Sequence, residues 1–108
     1  MKKRQPWVSY DEMEIRKFRE KPSLALKFLD AAFEVAFEEN DPGLILSALS
    51  TVARARGMTR LAKQTDLRRE SLHRMLAKGG NPEWKSLFRI LKALDVRPRL
   101  ELPRRPTA

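Results

Sequence analysis

Cysteine is absent from this 108-residue chain, and histidine occurs once, as His73. Without thiols the chain forms neither disulfides nor thiolate metal sites, which fits a reducing compartment. A single imidazole excludes a histidine metal cluster and a Ser-His-Asp triad within one chain. The carboxylates scatter along the first part of the sequence as a solvated face would. We therefore expect no enzyme activity, no cofactor and no bound metal.

Long apolar runs are missing too. After the basic start MKKRQPWV no apolar stretch is long enough for a signal peptide or a spanning helix. Aromatic residues are not placed on the basic amphipathic faces, which weakens the case for membrane binding. We expect a cytoplasmic protein with no membrane partner, and the length predicts a single domain.

Positive charge is abundant and unevenly placed. The chain has 23 Lys and Arg against 14 Asp and Glu, a formal net charge of +9. Such a protein is drawn to polyanions: nucleic acid, an acidic protein or an anionic membrane surface. Residues 9–42 carry nine acids against five bases, whereas residues 54–78 carry eight bases against two acids. The sequence thus predicts two electrostatically opposite faces.

Apolar spacing predicts an all-α domain of five helices. An amphipathic helix starts at Ser23 as N-cap and buries a core stripe that includes Phe28, Phe33 and Phe37. Asp41 caps a second helix that has Pro42 as its first residue and Gly57 as its stop. Two short helices (60–65 and 68–77) and a last helix (83–94) follow. The alternation over 96–102 predicts a short edge strand.

These elements divide the chain into three parts. The segment 1–22 is irregular or only partly helical, residues 23–95 form the helical domain, and residues 96–108 form the strand and a basic tail. The strand is a candidate for pairing with a partner's sheet or with a second copy.

The two short helices and their tight turn predict a helix-turn-helix over residues 59–77. In this motif the second short helix lies in the major groove of DNA. At 100° per residue, Leu72, Met75 and Leu76 share the inner stripe, and Glu70 and Arg74 lie opposite. Arginine donates twice to guanine and glutamate accepts from cytosine, which suits base reading. The predicted base-reading residues are Arg68, Arg69, Glu70 and Arg74.

The predicted phosphate contacts are polar or basic residues around the motif, which hold such a protein in register on DNA. They are Arg54, Arg56, Thr59, Arg60, Lys63, Ser71, His73 and Lys78. The alternative interpretation is a solvated basic surface helix in which Glu70 and Arg74 form only an i,i+4 ion pair.

Several short pieces of the chain together resemble a known family. They are Asp41-Pro42, ARARGM (53–58), Leu61-Ala62, RESL (69–72), GNP (80–82) and LKAL (91–94). Over residues 22–102 the chain looks like the Xre-type, lambda-repressor-like helix-turn-helix, and specifically like the addiction-module antidote family of antitoxins paired with RelE-like toxins.

The resemblance implies an antitoxin that neutralises a ribosome-dependent, mRNA-cleaving toxin and represses its own operon as a homodimer on a palindrome. By position, the resemblance implies the same four base-reading residues: Arg68, Arg69, Glu70 and Arg74. Three places depart from the family pattern. Asp66 stands where the family has the glycine of the turn, and His73 stands where it usually has a tyrosine. Met58 and Thr59 stand at the start of the first short helix, where many Xre repressors have a glutamine.

Three questions stay open at this level. A stand-alone or prophage Xre regulator would have no toxin, and a pure interaction module would block a toxin without binding DNA. The acidic residues of 9–42 either neutralise a basic toxin or are a solvated face.

Overall fold

The computed structural model describes residues 10–103. Within that range the fold is all-helical and consists of six helices: α1 (Tyr10–Glu20), α2 (Pro22–Glu39), α3 (Gly43–Arg56), α4 (Met58–Thr65), α5 (Arg69–Met75) and α6 (Trp84–Ala93). The first nine residues of the predicted N-terminal segment and residues 104–108 of the basic tail lie outside the described residues.

The helix α1 corrects the predicted number of helices, because most of the segment expected to be irregular or only partly helical is regular helix. Its first turn carries Asp11 and Glu12 and its last turn carries Lys17 and Arg19, which complements the helix dipole. Phe18 is buried, with its ring centroid 5.0 Å from that of Phe28 on α2. The helix α1 therefore contributes Phe18 to the core of the domain.

The helices α2 and α3 pack against α1 and against each other. Pro22 rather than Ser23 begins α2, which fits the preference for proline in a first turn. Asp41 does accept a hydrogen bond at the start of α3, from the backbone N–H of Gly43 over 3.1 Å, although the helix begins one residue after Pro42. A Cβ on Gly43 would lie 2.6 Å from the carbonyl oxygen of Lys78, so the loop after α5 packs directly on this turn.

Two positive backbone φ angles define the ends of α4. Gly57, at φ +108°, separates α3 from α4. Asp66, at φ 59°, ends α4 in the left-handed conformation, and its N–H bonds to the carbonyl of Ala62. The helix α4 starts two residues earlier than predicted, and α5 is shorter than predicted at both ends.

The core joins all the later helices. Its largest fully buried side chains are Leu49, Leu61, Leu72, Leu76 and Ile90. One predicted core residue is wrong: Phe37 is 79% exposed. At 100° per residue Phe37 lies about 80° around α2 from the buried Leu29, off the side that faces α1 and α3.

The predicted C-terminal strand is also wrong. Residues 96–103 have no regular secondary structure, and Leu100 and Leu102 are 99% and 90% exposed. A strand is stable only when its backbone groups pair with a neighbour. No strand exists within residues 10–103 to pair with it. None of the described helices is both long and apolar enough to cross a membrane.

Candidate nucleic-acid interface

The helix α5 presents a polar face outward because its apolar residues are held in the core. Leu72, and Leu76 directly after the helix, are fully buried, while Glu70 and Arg74 are exposed on the opposite side. The Nη2 of Arg74 donates to the Oγ of Ser71 over 3.4 Å. Among the ion pairs of the described residues none joins Glu70 to Arg74. The pair expected for a merely solvated helix is therefore not formed.

The two arginines at the start of α5 occupy different places. Arg68 is exposed at the N-cap with extended backbone angles (φ −72°, ψ 144°). Arg69, the first helical residue, lines a cleft toward α4 together with His73, one turn further along. All four predicted base-reading residues are thus exposed, and of the four only Arg69 lines the cleft.

This cleft collects most of the predicted phosphate contacts. We call it the cationic cleft; it is open, encloses about 710 Å³, and is lined by the bases Arg19, Arg54, Arg60, Lys63 and Arg69. Thr59 and His73 also line it. The bases come from α1, α3, α4 and α5, so only the tertiary fold brings them together.

The N-terminus of α4 opens into the cationic cleft. Gly57, Met58 and Thr59 are part of the lining. Thr59 is the second residue of α4, not its cap, and no side chain caps this helix or places a carboxylate in its first turn. The first N–H groups of a helix have no partner inside it and carry partial positive charge. Together with the bases, they form a surface suited to a phosphate group.

Arg54 is held at the edge of the cationic cleft. Its Nη2 lies 3.5 Å from the Oδ2 of Asp11 on α1. Its Nε is buried and has no hydrogen-bond partner among the described residues. One donor of this guanidinium therefore has no partner from residues 10–103.

Arg19 is the residue that the sequence did not indicate. Its Nε donates to the carbonyl of Ala55 over 3.2 Å, and its Nη2 donates to the carbonyl of Arg54 over 3.4 Å. It therefore binds the C-terminal end of α3 and also lines the cleft. Its place in the last turn of α1 was the available signal, but apolar spacing did not predict a helix there.

Three predicted phosphate contacts lie outside the cationic cleft, and one of them, Ser71, accepts the hydrogen bond from Arg74 on α5. Arg56 donates from Nη1 to the carbonyl of Ala93 over 3.1 Å and from Nη2 to the carbonyl of Leu94 over 3.0 Å, so both terminal nitrogens bind the end of α6. Lys78 places its Nζ 3.7 Å from the Oδ2 of Asp41. Neither residue lines the cationic cleft.

Residues 10–103 contain no group of three or more His, Cys, Asp or Glu side chains placed to hold an ion. The interface is therefore built from cations, hydroxyl groups and helix ends.

Sequence comparison relates the chain to known proteins. An uncharacterised protein of Haemophilus influenzae is 39% identical over 59 residues, covering 55% of this chain; the matched part spans 61% of that relative's length. No solved structure matches. A family model described as a probable addiction module antidote protein matches residues 14–102. An antidote implies a toxin as its partner. On the strength of that match across most of its length, the chain belongs to the family of probable addiction module antidote proteins.

Proposed function

We propose that this antidote binds duplex DNA through α5 and the cationic cleft. The observation that carries the proposal is the convergence of five bases from four helices on the uncapped N-terminus of α4, beside the outward polar face of α5. Phosphate contacts fix a protein on DNA, and a neighbouring helix reads base edges. The geometry supplies both parts side by side.

The roles of the side chains follow from where they lie. Thr59, Arg60, Lys63 and His73 contact phosphate in the cleft, and Arg54 adds its positive charge at the edge of the cleft. Arg68, Glu70 and Arg74 face the bases from the exposed side of α5. Arg69 lies between the two groups and reaches either a phosphate or the adjacent base edge. Arg56 has a structural role, because it binds the end of α6.

In the cell, we propose, the chain neutralises a RelE-like toxin and represses its own operon. It does so in the cytoplasm, as a homodimer on a palindromic operator, by binding and without catalysis. An isologous dimer presents two copies of α5 related by a two-fold axis, which matches the symmetry of a palindrome. The lambda-repressor-like, Xre-type arrangement of α4 and α5 is part of this proposal.

The test is binding to the DNA upstream of the chain's own gene, measured by fluorescence anisotropy with the full chain. We expect Arg69→Ala and Arg74→Ala each to cost about 1–3 kcal/mol of binding free energy and to relax sequence preference. The same titration gives stoichiometry, for which we expect two chains per operator.

The matched control is Lys27→Ala. Lys27 is the only base of α2 and does not line the cleft, so the substitution removes one charge without touching the interface. Unchanged operator affinity in both arginine variants would refute α5 as the reading helix, and failure of the wild-type chain to bind the operator would leave a module that acts on a toxin alone. A neighbouring reading frame that encodes no small basic protein would favour a stand-alone regulator.

A further inference from the structure

One strip of exposed side chains on α2 has no role in the fold or in the cationic cleft. Leu26 and Phe37 are 54% and 79% exposed, and Phe33 between them is half-buried. The spacing i, i+7 and i+11 places all three within about 20° of one line along the helix, over about 16 Å. We call these three residues the apolar strip.

Carboxylates run beside the apolar strip. Asp30, Glu34 and Glu38 are exposed and follow it at intervals of one turn. None of the three forms an ion pair with another residue of the described range. Lys27 is the only base in α2, against four acids. The apolar strip is therefore bordered by three carboxylates that form no ion pair within residues 10–103, and we call these carboxylates the acidic edge.

The fold does not explain this exposure. The contacts of α2 with α1 and α3 use the adjoining face, where Ala25, Leu29 and Ala36 are buried, and Phe37 lies about 80° around the helix from Leu29. Burial of one large apolar side chain stabilises the folded state by about 1.5–3 kcal/mol, and the exposed Phe37 contributes little of this. Exposed apolar surface rimmed by charge is typical of protein interaction sites. No residue of α2 lines the cationic cleft.

We infer that the apolar strip and its carboxylates are the docking site for a basic protein, the toxin of this addiction module. This inference rests on the antidote role in the proposed function. The matching surface on the partner is an apolar hollow edged by Lys or Arg, because charge complementarity selects that partner and speeds its encounter. Phe37, the most exposed aromatic ring of the strip, enters the hollow.

The acidic edge argues against the other occupants. DNA carries the same sign of charge and is repelled. A second copy that docked isologously would place Asp30, Glu34 and Glu38 opposite their own equivalents, and like charges across an interface are unfavourable.

The experiment measures the affinity of the full chain for the small basic protein encoded by the adjoining reading frame, by isothermal titration calorimetry. We expect Phe37→Ala to raise the Kd at least tenfold, as loss of a central aromatic contact does. Glu34→Lys combined with Glu38→Lys should slow association, with the largest effect at low salt. Phe88→Ala is the matched control, because Phe88 is an exposed phenylalanine on α6 and 54% exposed.

The outcomes separate this inference from the antidote role. Binding by the wild-type chain with equal affinity in Phe37→Ala overturns the docking site alone, as does an equal loss in Phe37→Ala and Phe88→Ala. Reduced self-association of Phe37→Ala with unchanged toxin affinity assigns the strip to a second copy and also overturns it. Failure of the wild-type chain to bind overturns both the antidote role and the site. Unchanged operator affinity of Phe37→Ala verifies that the variant is folded.

Discussion

Arg56 shows that a basic residue in a cationic segment need not face a polyanion. Sequence spacing places it among the phosphate contacts, yet its two terminal nitrogens bind the carbonyls of Ala93 and Leu94. Carbonyls at the end of a helix lack partners within it and carry partial negative charge, so a guanidinium there stabilises the helix. Arg56 therefore connects the last residue of α3 to the end of α6.

At the residue scale we expect Arg56→Ala to lower the free energy of unfolding by about 1–3 kcal/mol, because two charge-assisted hydrogen bonds are lost. Urea denaturation measures this. Arg74→Ala, on the exposed face of α5, is the control and should change stability by no more than about 0.5 kcal/mol. An Arg56→Ala protein of unchanged stability but weakened operator binding would return Arg56 to the phosphate contacts.

The turn between α4 and α5 sets how α5 is presented. Asp66 holds φ 59° and ψ 36°, a left-handed conformation in which most residues with a side chain are strained. Aspartate tolerates it better than most residues, and glycine adopts it without steric cost. Aspartate at this position thus keeps the turn but costs stability relative to glycine.

At the scale of the element we expect Asp66→Gly to raise the free energy of unfolding by about 0.5–1 kcal/mol, since glycine is the preferred residue where a helix ends in this conformation. Asp66→Ala should lower it by about 1 kcal/mol. Thermal and urea unfolding of the two variants beside the wild type measure both changes. Equal stability of all three would contradict a left-handed Asp66.

The whole molecule separates its charges between two regions. The cationic cleft gathers bases from α1, α3, α4 and α5, while α2 carries four acids and one lysine. An anion approaching the cleft meets a positive field, and a basic protein is attracted to α2. One small domain thereby has a cationic surface and a separate acidic surface.

At the scale of the whole molecule we expect operator affinity to fall linearly with the logarithm of salt concentration, because each phosphate contact releases counterions from DNA. Arg60→Gln and Lys63→Gln should each reduce the magnitude of that slope by about 1. Lys27→Gln should leave it unchanged. Identical slopes for all these proteins would show that the cleft does not contact the phosphate backbone.

Local signals in the sequence determined most of the helical framework. Helical spacing predicted α2 through α6 to within two residues at each end. Asp41, expected as the N-cap of α3, accepts a hydrogen bond from the N–H of Gly43, although Pro42 occupies the N-cap position. The inner stripe of α5 was also predicted, since Leu72 and Leu76 repeat at helical spacing. These features depend on interactions within about one turn, which the order of residues specifies directly.

Contacts between distant parts of the chain decided the rest. The sequence could not show that Arg54 and Arg69 share one cleft with Arg19. Nor could it show that Arg56 hydrogen-bonds to the end of α6, or that Phe37 is exposed. The alternation of apolar and charged residues alone predicted a strand over 96–102. Within residues 10–103 there is no other strand with which it could pair. Periodicity assigns a side chain to a face of its own helix. Which partner that face meets depends on how the helices pack, and that is a property of the tertiary structure.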